Sequence, residues 1–119
     1  EGNKGLVKQA KKNAIKNGID NVEFFVADLA VLDKSNKFIK GRFDKILLDP
    51  ARAGAKEVIE SFNTKNVKRI VYVSCNPATL ARDAGILVNE KGFKLTKAGV
   101  IDMFPHTTHV ESIAVFDRE

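Results

Sequence analysis

One cysteine, Cys75, stands in Val73-Ser74-Cys75-Asn76-Pro77, directly after the run Arg69-Ile70-Val71-Tyr72. A thiol at the end of a strand, with a helix beginning at the next proline, is a candidate nucleophile. The thiolate is the reactive form, and a helix N-terminus favours an anion. The plainer reading is a small core residue closing a buried strand. Asn76 likewise has two readings: it caps the coming helix, or it donates to a bound carbonyl.

Two further clusters have the same character. Asp49-Pro50-Ala51-Arg52 follows an apolar run. An acid at the C-terminal end of a strand faces the ligand crevice of an open α/β sheet. The planar fork of Arg52 suits a phosphate or carboxylate. Taken alone, Asp-Pro is only a turn signal. The third cluster is Pro105-His106-Thr107-Thr108-His109-Val110-Glu111. Glu111 leads into a last strand, where partial burial would raise its pKa and make it a usable base. His109, two residues earlier, falls on the same side of an extended chain. Asp28 ends another apolar run; it can accept hydrogen bonds from an adenine or ribose, or merely cap a turn. His106-x-x-His109 with a distant Cys75 matches no structural zinc pattern, and no metal is expected.

These residues need a scaffold. Apolar spacing at Leu6, Val7, Ala10, Ala14 and Ile15 predicts a helix with Asn3 as its N-cap and Asn17-Gly18 as its stop. Strands are expected at 22–27, 43–48 and 67–74, with a loop at 29–41 between the first two. A short helix at 56–62 and a proline-led helix at 77–91 follow the second and third strands. Two last strands, 93–101 and 110–117, succeed each other directly. The early strands lack polar alternation, as where both faces are covered. This order predicts an α/β fold whose sheet is mostly parallel, with an antiparallel C-terminal strand.

The chain has 119 residues and a net charge of +5, which suits one domain or a piece of one. The positive excess favours polyanionic partners, although a solvated surface would look the same. Lys4, Lys8, Lys11, Lys12 and Lys16 mark one helix face; Lys34, Lys37, Lys40 and Arg42 follow. No apolar run reaches the ~20 residues a membrane span needs. A lone cysteine and no recognisable secretory leader fit a reducing, cytoplasmic setting. The chain opens on Glu1-Gly2-Asn3 just ahead of a helix, without the strand that α/β order would place there. A fragment is therefore expected.

The run Asp49-Pro50-Ala51-Arg52-Ala53-Gly54, followed after a spacer by Ile70-Val71-Tyr72-Val73-Ser74-Cys75-Asn76-Pro77-Ala78-Thr79, resembles one signature of the RNA (uracil-5-)-methyltransferases. The run Asp102-Met103-Phe104-Pro105-His106-Thr107-Thr108-His109-Val110-Glu111 resembles their second signature. Two long motifs in the right order are a specific signal. The resemblance covers the whole chain, but only the C-terminal part of the family's catalytic domain. It implies a partial Rossmann-like fold that uses S-adenosyl-L-methionine.

The implied mechanism explains the residues. C5 of uracil is a poor nucleophile until a thiolate adds to C6. By the resemblance Cys75 is that nucleophile, and Glu111 is the base that later removes the C5 proton. Asp49 lies between cofactor and uracil, Glu1 holds the cofactor ribose, and Asp28 lies near the adenine. Arg52 and His109 support the substrate. The target base must leave its stack to reach Cys75. Ala51, Ala53-Gly54-Ala55, Ala81-Arg82-Asp83 and Asp102-Met103-Phe104 resemble the enzymes acting on 23S ribosomal RNA more than those acting on transfer RNA.

The glycine-rich first motif, the RNA-binding domain and the iron–sulfur cysteines of many ribosomal RNA members are absent from these 119 residues. They would lie upstream, so this piece is expected to be inactive alone. The strand at 22–27 would also lack its usual neighbours. Three other readings stay open. They are a transfer RNA uracil-C5 methyltransferase, a methyltransferase acting on exocyclic amines (suggested by the Asp-Pro after a strand), and a non-catalytic RNA-binding module.

Overall fold

The computed structural model describes residues 1–32 and 38–119. Lys34 and Lys37, two of the expected basic residues, lie outside that description. Helix α1 spans Lys4–Lys16. The Asn3 side chain accepts from the Gly5 and Leu6 amides at 2.8 and 3.2 Å, satisfying two of the donors that a helix start leaves free. At the far end Gly18 takes φ +66°, and the Ile19 amide bonds back to Ala14 O at 2.9 Å. That is a Schellman stop, which needs the left-handed residue glycine supplies.

Residues 22–27 are extended but form no strand, contrary to the sequence expectation. A strand needs a partner about 4.8 Å away. Here a cleft of about 620 Å³ separates residues 23–25 from Ile46, Leu47 and Leu48. The segment is tied instead to the chain start, through Ala27 N donating to Glu1 O at 3.0 Å.

The remaining elements follow the expected order with shorter ends. They are β1 Lys45–Leu48, α2 Lys56–Ser61, β2 Arg69–Ser74, α3 Pro77–Asn89, β3 Lys94–Ile101 and β4 Glu111–Asp117. The sheet order is β1-β2-β4-β3. β1 and β2 pair in parallel; β4 lies between β2 and β3 and is antiparallel to both. Three strands therefore point one way and only the C-terminal strand opposes them.

Alternation along β2 and β4 sends Ile70, Tyr72, Ala114 and Phe116 to one face. There they pack with Val58 and Ile59 of α2, Ile86 and Leu87 of α3, and Val67 and Phe93. Leu47, Val71, Val73, Ile113 and Val115 fall on the other face, in register with one another. Leu47 is 70% exposed. The apolar character of both faces was legible in the sequence; among the described residues only one face is covered.

Candidate active site

The sheet topology brings the ends of three strands to one edge. β1 and β2 run towards it and β4 starts from it. Asp49 follows β1, Cys75 follows β2, and Glu111 opens β4. The last ladder pair of β2 and β4 is Ser74 with Ser112. Cys75 and Glu111 each adjoin that pair at the same end of the ladder, and both are half-buried. Cys75 is in no disulfide.

Local chemistry ends β2 at this point. Ser74 Oγ accepts from Asn76 N at 3.0 Å and donates to Asn76 O at 2.9 Å, closing a tight turn around Cys75. Asn76 Oδ1 caps α3 through Ala78 N at 3.2 Å, and Pro77 occupies the first helical turn. The carbonyl to which Asn76 Nδ2 donates is Arg52 O, at 3.1 Å. Asn76 therefore caps the helix with its oxygen and ties the 49–55 loop with its nitrogen.

The two signature loops also touch. Arg52 Nη1 lies 3.4 Å from His109 Nδ1. A guanidinium only donates, so Nδ1 is the acceptor side of this contact. The Phe104 and His109 rings meet edge to face at 6.5 Å. Thr107 Oγ1 accepts from His109 N at 3.2 Å and donates to Phe104 O at 2.7 Å, bracing the turn in which His106 takes φ +64°. Arg52, His109 and Asp49 are solvent-exposed, open to a ligand.

Glu1 and Asp28 lie elsewhere. Glu1 lines the 620 Å³ cleft with Phe25, Leu29 and Leu48. Its Oε1 accepts from Asn3 N at 2.8 Å, and its main chain is joined to Ala27, next to Asp28. Asp28 Oδ1 accepts from Ala30 N at 2.9 Å, the turn-capping role. Leu48, the residue before Asp49, lines the same cleft.

Sequence reading missed Asp83. It is completely buried and accepts from Tyr72 Oη at 2.6 Å, Ala55 N at 2.7 Å and Arg82 Nε at 2.8 Å. Burial first, and then the bond to Asp83, push the Tyr72 phenol well above its usual pKa. The bond to Asp83 also raises Arg82. The available signal was a carboxylate on the apolar stripe Leu80, Asp83, Ile86, Leu87 of a helix.

Comparison with known proteins accords with this arrangement. The chain is 58% identical over 118 residues to the 23S rRNA (uracil(1939)-C(5))-methyltransferase RlmD of Xanthomonas axonopodis pv. citri, and equally to that of Stenotrophomonas maltophilia. In both cases the match takes in 99% of this chain and 27% of the relative. The chain thus spans about a quarter of those relatives' length. Among solved structures, the Pyrococcus abyssi tRNA (uracil-54, C5)-methyltransferase in complex with S-adenosyl-L-homocysteine superposes with a TM-score of 0.76 at 34% identity. That match covers 98% of this chain and 27% of the other. The profile of the tRNA (Uracil-5-)-methyltransferase family matches residues 1–119. A family match along its whole length places this chain in the tRNA (uracil-5-)-methyltransferase family of enzymes.

Proposed function

We propose that the chain is the C-terminal part of the catalytic domain of an S-adenosyl-L-methionine-dependent enzyme that methylates uracil C5 in 23S ribosomal RNA. The observation that supports this is the β2–β4 ladder, whose last pair, Ser74 with Ser112, leaves the only thiol of the chain and Glu111 at the same edge of the sheet. The 58% identity to 23S ribosomal RNA enzymes, against 34% to the transfer RNA enzyme, supports the ribosomal substrate.

In this reading the Cys75 thiolate adds to C6 of a flipped-out uracil, and the C5–C6 π electrons move to C5 and the C4 carbonyl. The bound cofactor supplies an electrophilic methyl group on a sulfonium. Glu111 accepts the C5 proton after C5 has been methylated. The electrons of the C–H bond re-form C5=C6 and expel the thiolate, leaving Cys75 as it began. Glu1 would hold the ribose and Asp28 would lie near the adenine, at the cleft end that Glu1 lines. Asp49 would lie between cofactor and uracil, and Arg52 with His109 would flank the base or its phosphate.

The test uses the full-length protein with RNA carrying 5-fluorouracil, S-adenosyl-L-methionine and a denaturing gel. Fluorine cannot leave as a cation, so the expected result is a covalent band that Cys75→Ala abolishes. Glu111→Gln should accumulate a methylated adduct on ordinary uracil RNA and release it slowly. No band on RNA that the protein binds would favour the exocyclic-amine reading, or a binding module whose affinity falls steeply with salt. Methylation of 23S and transfer RNA transcripts, compared side by side, separates the two uracil substrates.

A further inference from the structure

The most deeply buried charge of the described residues belongs to none of the candidate reactive groups. Asp83 faces the 49–55 loop from α3, and it does not act alone. Asn76 Nδ2 donates to Arg52 O at 3.1 Å, and the single hydroxyl proton of Thr79 is shared between Arg52 O at 3.1 Å and Asn76 O at 3.0 Å. Arg82 Nη2 donates to Ala53 O at 2.9 Å, and Asp83 Oδ2 accepts from Ala55 N at 2.7 Å. Positions 76, 79 and 83 recur on one helical face, with Arg82 beside them. Gly54 takes φ +86°, and a Cβ there would come within 2.5 Å of Arg82 Nη2 and 2.6 Å of Asp83 Oδ2. The loop lies so close to α3 that only glycine fits.

The loop itself is otherwise held by little: Gly54 N donates to Ala51 O at 2.9 Å, and residues 51–53 are exposed. Its main-chain groups are tied to side chains of a single helix. That helix starts at Asn76, the neighbour of Cys75. One rigid element therefore fixes both the thiol and the loop that carries Asp49 and Arg52.

We propose that Asn76, Thr79, Arg82 and Asp83 form a positioning strip that locks the 49–55 loop in a fixed relation to Cys75. They hold main chain and need touch no reacting atom. The effect on turnover rests on the uracil-C5 reading; the anchoring of the loop does not.

Two measurements on the full-length protein test it. In single-turnover adduct formation on saturating RNA, Thr79→Val should slow the reaction about 10- to 100-fold, the size of a small misplacement of reacting groups. Thr79→Ser, which keeps the hydroxyl, should stay within about 3-fold of the parent. In hydrogen exchange, peptides covering 50–55 should exchange at least about 10-fold faster in Thr79→Val and in Asp83→Asn. An adduct rate for Thr79→Val within about 3-fold of an active parent overturns the positioning role. If the parent forms no adduct, the uracil-C5 reading has failed and exchange decides alone. Unchanged exchange at 50–55 in Thr79→Val then overturns the strip; faster exchange upholds it as the anchor of the loop. Thr79→Val keeps the test decisive should Asp83→Asn fail to fold.

Discussion

Asp83 shows how one buried carboxylate can be tolerated. Both of its oxygens accept hydrogen bonds, and Arg82 lies 2.7 Å away to match the charge. Asp83→Ala leaves Arg82 and Tyr72 without their partner, and should cost about 3–5 kcal/mol in urea denaturation. Tyr72→Phe removes one donor and should cost about 1–3 kcal/mol. The two losses should not add, because the groups share atoms. The Tyr72 contribution also depends on pH. Its pKa is raised on folding, so the stabilisation is whole below the unfolded-state value of about 10 and is lost as pH rises towards the folded value. The gap between parent and Tyr72→Phe midpoints should therefore narrow above about pH 10. A gap constant up to pH ~11 would mean the phenol is not held as described.

At the level of elements, two glycines with positive φ make different demands. Gly18 faces open space, so Gly18→Ala should cost only the left-handed penalty, about 1 kcal/mol. Gly54→Ala adds a collision with Arg82 and Asp83, and should cost about 2–5 kcal/mol by the same denaturation measurement. The β2–β4 ladder has its own clip at the end far from the site. Arg69 Nε donates to Asp117 Oδ1 at 2.6 Å, and Thr96 Oγ1 donates to Asp117 Oδ2 at 2.7 Å. These bonds, that of Arg69 foremost, hold the Asp117 carboxyl below its usual range. A lowered pKa contributes stability above the unfolded value of about 3.9 and loses it as pH falls through the folded one. Asp117→Asn should therefore flatten the loss of stability below about pH 4. An unchanged acid limb would exclude the clip.

For the molecule as a whole, the bare sheet face and the apolar cleft set the expectation. Leu47, Val71, Val73, Ile113 and Val115 are the kind of surface that α/β sheets cover with further helices. The relatives are roughly four times the length of the match. The 119-residue chain on its own should bind the apolar dye anilinonaphthalene sulfonate and form no adduct with 5-fluorouracil RNA. The full-length protein should do the reverse. An active 119-residue chain would show that the cleft needs no further cover. No helix among the described residues is long and apolar enough to cross a membrane.

The sequence alone determined the local grammar and the chemistry. Asn3, Gly18, Asn76 and Pro77 fix helix ends through their own backbone preferences, and those ends fell within a few residues of expectation. The two signatures named Cys75, Asp49, Arg52, His109 and Glu111, because a reactive group needs its own side chain whatever surrounds it. Pairing was decided by tertiary structure. The run at 22–27 has strand-forming residues but pairs with no strand, and Ala27 bonds to the chain start at Glu1 instead. β4 inserts between β2 and β3, and that placement brings the start of β4 to the end of β2, with Ser112 paired to Ser74. The role of Asp83 was equally invisible, since its three donors come from β2, α3 and a loop 28 residues away along the chain. Spacing along a chain records what one helix or strand needs; it does not record which peptide group will arrive from elsewhere to meet a buried charge.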